Sequence, residues 1–200
     1  MAGEANGLPP LRLLLFGPPG CGKGTQAALL AQRLGVPAIS TGEMLRQAVT
    51  AGNALGKRVD AIIRAGKLVD DVTMAAVVRE RLTRDDARRG FLLDGYPRNG
   101  EQAAMLEEIL HEQGKDVDAA IFLEVPSEEL VRRMSGRREE AGRADDQDSV
   151  VRERLRIYEE KTAPLVDYYE KRGLLRHIDG NRPVDSVATS IISALRRSAA

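Results

Sequence analysis

Apolar residues are distributed along this chain in two alternating rhythms. Short unbroken runs such as Leu13-Leu14-Leu15-Phe16, Phe91-Leu92-Leu93 and Ala119-Ala120-Ile121-Phe122-Leu123 have the length of strands and are apolar on both faces. That is the signature of a parallel sheet covered on each side. Two further strands are read at Val36 to Ser40 and Leu174 to Ile178, giving five. Between them lie stretches with helical spacing. Thr25 to Leu34 places Ala27, Leu30, Ala31 and Leu34 on one face and stops at Gly35. Thr41 is read as the cap of a helix from Glu43 to about Ala51, broken by Gly52. Leu55 to Ala65 ends at Gly66, and Asp70 or Asp71 caps Val72 to Leu82. Asn99 caps Glu101 to Gln113, and Ser127-Glu128-Glu129 opens a helix reaching about Ser135. A long helix starts at Asp148 or Ser149 and reaches about Lys161. Pro164 takes the first turn of Leu165 to Arg172, and Val184 to Arg196 closes the chain after a turn at Asp179-Gly180-Asn181.

Strand and helix in alternation predict an α/β fold: three layers, with a five-stranded parallel sheet between helices. The crossover from the second strand to the third is long and entirely helical, so a small helical segment is expected as an insertion at the sheet edge. Gly136 to Asp146, GRREEAGRADD, is highly charged with little to bury, and reads as a loop or flap. The first ten residues, MAGEANGLPP, lack the basic-then-apolar pattern of a secretory signal and read as a flexible leader. One domain, 11–200, is expected after it, with no internal repeat.

Composition narrows the class. In 200 residues, 30 Lys and Arg balance 30 Asp and Glu, so no basic excess points to a nucleic acid as partner. No apolar run reaches the roughly 18 residues of a membrane span. A single cysteine, Cys21, permits no internal disulfide. A cytoplasmic location is therefore expected, and the charged faces point to a monomer.

The densest chemistry lies at Leu11 to Gln26, LRLLLFGPPGCGKGTQ. Gly17, Gly22 and Lys23 satisfy the spacing G-x-x-x-x-G-K of a phosphate-binding loop. There a strand ends, glycines let backbone N–H groups converge on an anion, the helix N-terminus adds its field, and a lysine supplies mobile charge. Gly24 stands where the generic pattern has Ser or Thr, and Thr25 comes one residue later. Further stretches carry phosphate-binding side chains: Ser40-Thr41-Gly42-Glu43-Met44-Leu45-Arg46, Asp94-Gly95-Tyr96-Pro97-Arg98 with Gln102 beyond it, and the arginines 133, 137, 143 and 154. Arginine suits this work because its planar fork binds phosphate oxygens in pairs and keeps its charge. Asp94 ends a strand, where parallel sheets gather ligands.

These blocks, GPPGCGKGTQ, STGEMLR, GKLVDD, FLLDGYPRN, GRR, GRADDQ, TAPLVDYY and DGNRPVDSV, resemble the adenylate kinases of the nucleoside monophosphate kinase family, in order from Leu11 to Val187. The displaced Thr25 is the form that family uses. The resemblance implies a P-loop kinase fold with an AMP-binding insertion, 40–69, and a short lid, 136–146. It implies reversible transfer of the terminal phosphoryl group of MgATP to AMP, giving two ADP and serving adenine nucleotide homeostasis. Gly20, Cys21, Gly22, Lys23, Gly24 and Thr25 would wrap the ATP phosphates. Thr41 and Arg46 would contact AMP, and Lys67, Leu68 and Val69 would line its adenine pocket. Gly95, Tyr96, Pro97 and Arg98 would hold its phosphate, and Gln102 would read its base. Arg133, Arg137, Arg143 and Arg154 would close on the phosphates, and Arg182 would meet the ATP adenine. Asp94 would orient Mg²⁺ through water, with Thr25 nearby and no protein group ligating the metal directly. With three residues between GRR and GRADD, one cysteine and no histidine nearby, no zinc-bearing lid is expected. Thr41 and Gln102 favour adenine over a pyrimidine. A nucleotide sensor, or an ATPase without an acceptor, is the rival from another class, and the second set of phosphate ligands argues against it.

Overall fold

A computed structural model describes residues 9–141 and 148–197. Five strands, β1 (Arg12–Phe16), β2 (Ala38–Ser40), β3 (Phe91–Asp94), β4 (Ala119–Glu124) and β5 (Leu175–Asp179), form one sheet in the order β2-β3-β1-β4-β5. All neighbours run parallel. The helices are α1 (Lys23–Leu34), α2 (Thr41–Thr50), α3 (Ala54–Arg64), α4 (Asp71–Leu82), α5 (Gly100–His111), α6 (Ser127–Ala141), α7 (Asp148–Ile157), α8 (Pro164–Glu170) and α9 (Val184–Arg197).

The doubly apolar strands are explained by two cores. Leu13 and Leu15 of β1 join Leu92, Ala119, Ile121 and Leu123 in a core with Ala27 and Leu30 of α1 and Val187, Ala188, Ile191 and Leu195 of α9. Leu14 and Phe16 point the other way. They join Phe91, Leu93 and Ala120 against Met74 and Val78 of α4, Leu106 and Ile109 of α5, and Leu165 and Tyr169 of α8. The alternation follows from the two-residue period of a strand. Each fully buried Leu or Ile contributes roughly 1.5–3 kcal/mol, so the sheet is a rigid platform for whatever its carboxyl edge carries.

Helices α2, α3 and α4 lie between β2, at the sheet edge, and β3, as the insertion reading expects. Their starts are capped in sequence-local fashion: Ser40, Asn53 and Asp70 accept from the backbone N–H of Glu43, Gly56 and Thr73. The cap of α2 is therefore Ser40 and not Thr41, whose hydroxyl turns instead to the carbonyl of Asp94. Asn99 caps α5 by accepting from Gln102 N–H.

Two helices depart from expectation. α6 runs to Ala141, six residues into the stretch read as a flap. Its charged residues are strong helix formers, so the helix propagates without a face to bury. The long helix expected to Lys161 ends as α-helix at Ile157 and widens into a π-helical turn, Tyr158–Thr162. There Ala163 N–H donates to the carbonyl of Tyr158, five residues back, at 2.8 Å. Pro164, the next residue, has no N–H to continue an α ladder and starts α8 at its first turn. Of the adjacent tyrosines, Tyr169 is buried in the core and Tyr168 is half-buried, its hydroxyl on Glu107.

Candidate active site

β1 ends at Phe16, and the chain turns through Gly17 to Gly22 into α1. Gly22 occupies the N-cap position at φ +97°, and no side chain caps the helix. An uncapped helix start leaves backbone N–H groups for an anion, with the helix dipole behind them. A Cβ on Gly17 would lie 2.6 Å from Cys21 Sγ and 2.8 Å from the Leu123 carbonyl, so the loop needs glycine there. Cys21 is 2% exposed and fills the space beneath the loop. Lys23 folds back over its own loop: Nζ donates to the carbonyls of Gly17 at 2.7 Å and Pro18 at 3.0 Å. Gly24 and Thr25 are exposed at the edge.

This loop forms one wall of a cleft of about 900 Å³. The opposite wall comes from the carboxyl ends of β2 and β3, where Ser40 lies beside Asp94. Parallel strands leave their ligand site at that edge. A smaller pocket, about 70 Å³, opens beside the cleft and is lined by Thr41, Lys67, Leu68, Val69 and Gln102 among others. Gly66 N–H and Lys67 N–H donate to Ile63 and Ile62, closing the end of α3 and turning residues 67 to 69 across that pocket.

The two cavities share a seam. Arg46, Arg98 and Arg154 line both, together with Gly42, Gly66, Leu68 and Gly95. Arg46 leans on Glu43 one turn earlier, at 3.1 Å. Arg98 is fixed closely: its Nε donates to the Gly95 carbonyl at 2.8 Å, and its backbone N–H to Gln102 Oε1 at 2.8 Å. Gln102, 1% exposed, spends its amide N–H on Asp71 Oδ1, which also accepts from Asn99.

Arg133 bridges the far end of the cleft. It pairs with Glu129 at 2.6 Å and donates to the Gly180 carbonyl at 3.2 Å, joining α6 to the turn after β5. Arg132 also holds Glu129, and the two guanidiniums, Arg132 first, bring that carboxyl down to about 2. The side chain of Arg132 is 77% exposed and that of Arg133 is 28% exposed, so of this adjacent pair Arg133 is the one turned inward. Arg182 lines the cleft and donates to Ser190.

Of the residues singled out from the sequence, Gly20 to Thr25, Asp94, Gly95, Pro97, Arg98, Arg133, Arg154 and Arg182 come together in the cleft, and Thr41, Arg46, Lys67 to Val69 and Gln102 around its smaller neighbour. Tyr96 lines neither cavity: it lies in the core, and burial pushes its phenol pKa up. The side chain of Arg137 and all of Arg143 lie outside the described residues. His111 and His177 face solvent, beside Asp116 and Glu124, and line neither cavity. Glu129, Asp71 and Thr162 received no site role in the sequence reading, although Asp71 and Thr162 stand inside its GKLVDD and TAPLVDYY blocks. The spacing of four between Glu129 and Arg133 on one helix was a usable signal, whereas nothing local links Asp71 to Gln102.

Asp94 and Thr25 offer one carboxylate and one hydroxyl to the cleft. Among the described residues no three His, Cys, Asp or Glu side chains converge as a metal cage. This donor set fits a hard cation that arrives with its phosphates and keeps its waters.

The adenylate kinase family model matches residues 15–174. The chain is 46% identical to the adenylate kinase of Stenotrophomonas maltophilia (strain R551-3) over 93% of its length and 100% of that protein. It is 47% identical to the adenylate kinase of Thermobifida fusca (strain YX), over 93% of this chain and 98% of the relative. The adenylate kinase of Kocuria rhizophila is 46% identical, with 93% and 99% covered.

Proposed function

The chain belongs to the adenylate kinase family and transfers a phosphoryl group reversibly between ATP and AMP; we propose that the two joined cavities are its donor and acceptor sites, with the transfer at their arginine seam. The observation that carries this reading is that Arg46, Arg98 and Arg154 line both the cleft under the glycine loop and the smaller pocket beside it. Three permanent cations between two pockets fit the triphosphate of one nucleotide and the phosphate of another brought end to end.

In this reading ATP lies along the cleft. Its phosphates rest on the loop amides with Arg133 closing on them, and its adenine meets the turn carrying Arg182. Lys23 exchanges the carbonyls of Gly17 and Pro18 for phosphate oxygens. AMP enters the smaller pocket, its base against Leu68 and Val69 near Thr41 and Gln102, its phosphate on Arg46 and Arg98. An oxygen of the AMP phosphate forms the new bond to the terminal phosphorus while the bridging oxygen of ATP leaves with ADP. The attacking oxygen is already anionic near neutral pH, so no general base is required. Catalysis then rests on in-line positioning and on charge stabilisation by Lys23 and the arginines. Asp94 and Thr25 would meet the waters of the Mg²⁺ carried in with ATP, which would supply neutralisation of phosphate charge.

Water must be kept out, or ATP would be hydrolysed without an acceptor. The insertion, 40–69, and the segment 136–146, with Arg137 and Arg143, would close over the nucleotides to that end. Both sites are lined by described residues of one chain, in keeping with a monomer. Among the described residues no helix is long and apolar enough to cross a membrane. That and the balanced charge support work in the cytoplasm on free nucleotides, with no nucleic acid or membrane as partner.

Steady-state kinetics separate the seam from the ends. Arg154→Ala, which touches both cavities, should raise KM for ATP and AMP together and lower kcat. Arg133→Ala should raise KM for ATP alone. If Arg154→Ala affected one substrate only, the shared seam would be refuted.

A further inference from the structure

Arg98 sits in the segment between β3 and α5, where neither a strand nor a helix ladder holds it. Its backbone is held by side chains. Gln102 takes its N–H, and its carbonyl accepts from Thr162 Oγ1 at 2.8 Å, across 64 residues of sequence. Thr162 ends the π-helical turn that succeeds α7, the helix carrying Arg154, and both Tyr158 and Thr162 line the cleft. We propose that Thr162 is a positioning residue for the transfer: its hydroxyl fixes the Arg98 peptide, and so aims the Arg98 guanidinium at the acceptor phosphate in register with Arg154. This rests on the reading of Arg98 as a ligand of that phosphate.

The widened turn gives the bond its geometry. An α-helix advances about 100° per residue. Accepting from the fifth residue instead of the fourth places one extra residue in the turn and shifts the phase of the next helix. Thr162 thereby faces Arg98, while α8 still lays Leu165 and Tyr169 into the core. Single π turns within helices recur at functional sites for this kind of re-aiming. The chain thus ties the two seam arginines, one on a loop and one on a helix, through a single hydroxyl. Thr162 touches no reacting atom and acts through Arg98 alone.

The test is steady-state kinetics on the full chain with Thr162→Val, Thr162→Ser, Arg98→Ala and the double variant Thr162→Val/Arg98→Ala. A melting curve for each checks folding. Thr162→Val keeps the shape and removes the hydroxyl. It should lower kcat/KM for AMP roughly tenfold while KM for ATP stays within about twofold, the loss expected when one hydrogen bond that sets a geometry is removed. Thr162→Ser, which restores the donor, should recover most of the loss. In the Arg98→Ala background, Thr162→Val should cost nothing further in kcat/KM for AMP. Thr162→Ala serves the same comparison if the valine variant does not fold. The inference is overturned if the hydroxyl can be removed without loss, if both KM values rise together, or if the loss persists undiminished without the Arg98 side chain. If Arg98→Ala itself keeps full activity, the assignment of Arg98 fails and this inference fails with it. A neutral Thr162→Val beside an inactive Arg98→Ala would reject the inference alone.

Discussion

The two halves of the site are built in different ways. The proposed donor side is centred on one glycine-rich turn whose grip is mostly backbone: glycine conformations, an uncapped helix start and one lysine resting on the carbonyls of Gly17 and Pro18. The proposed acceptor side is assembled from separate segments, with Thr41 and Arg46 on α2, Lys67 to Val69 after α3, Arg98 and Gln102 around the start of α5, and Arg154 on α7. Its groups hold one another by side-chain bonds such as Gln102 to Asp71 and Thr162 to Arg98. A backbone cradle is rigid and indifferent to which nucleotide carries the phosphates. A pocket of side chains on an inserted helical segment can close and can choose its base. The donor side should therefore fail when its backbone or its loop lysine is disturbed, and the acceptor side should fail gradually, one side chain at a time.

The sharpest break of that contrast is Lys23→Ala. It removes the one mobile charge of the loop and should lower kcat about 10³-fold, on the scale of losing a charge-stabilising group in a closed site, with the melting temperature little changed. Retention of more than about a tenth of the wild-type kcat would contradict the role. Next is the backbone. Gly17→Ala must place a Cβ against Cys21 and Leu123 at a φ of +139°, whereas Gly24 has nothing within 4 Å of an added Cβ. Gly17→Ala should cost roughly 1–3 kcal/mol of stability, read by chemical denaturation, while Gly24→Ala stays near neutral. Equal effects at the two positions would break the account of the loop. On the acceptor side, Arg46→Ala should raise KM for AMP about tenfold, the scale of one charged hydrogen bond, with a smaller rise in KM for ATP because the side chain also borders the cleft.

The smallest effect concerns the cap of α4, Asp70, which follows Val69 of the smaller pocket. The N–H of Thr73, then its side chain, hold the Asp70 carboxyl below its ordinary value. A lowered folded value means that the stabilisation is present above the unfolded value, near 3.8, and is lost as pH falls through the folded one. Asp70→Ala should cost about 1 kcal/mol at neutral pH. The gap from wild type should narrow in acid, and a gap constant down to pH 2 would contradict the charged cap.

The same contrast explains what could be read in the sequence. The donor loop was legible because its physics is local: a strand, spaced glycines, a lysine and a helix within sixteen residues. β1, β3 and β4 were legible because doubly buried strands carry continuous apolar runs, whereas β2 and β5, at the sheet edges, offered only short apolar stretches. On the acceptor side the arginines were visible as residues, but what holds them was not. Gln102 and Asp71 lie 31 residues apart, and Thr162 and Arg98 lie 64 apart, so each pair is a product of the fold. Ser40 and Thr41 are both good caps, and only the position of Asp94 decides between them. The extension of α6 was missed because low apolar content argued for a loop, while helix propensity argued the other way and prevailed. The π turn had Pro164 as a local hint, but its phase depends on packing against the core.

The account's central claim is a transfer between two facing pockets, the second of which admits one base. Nucleoside diphosphate formation from MgATP with AMP, GMP, CMP or UMP, beside a reaction with no acceptor, tests it directly. The account predicts rapid ADP formation with AMP, far slower product with the other three, and no appreciable loss of ATP when the acceptor is omitted. Consumption of ATP at the same rate with and without AMP would contradict it.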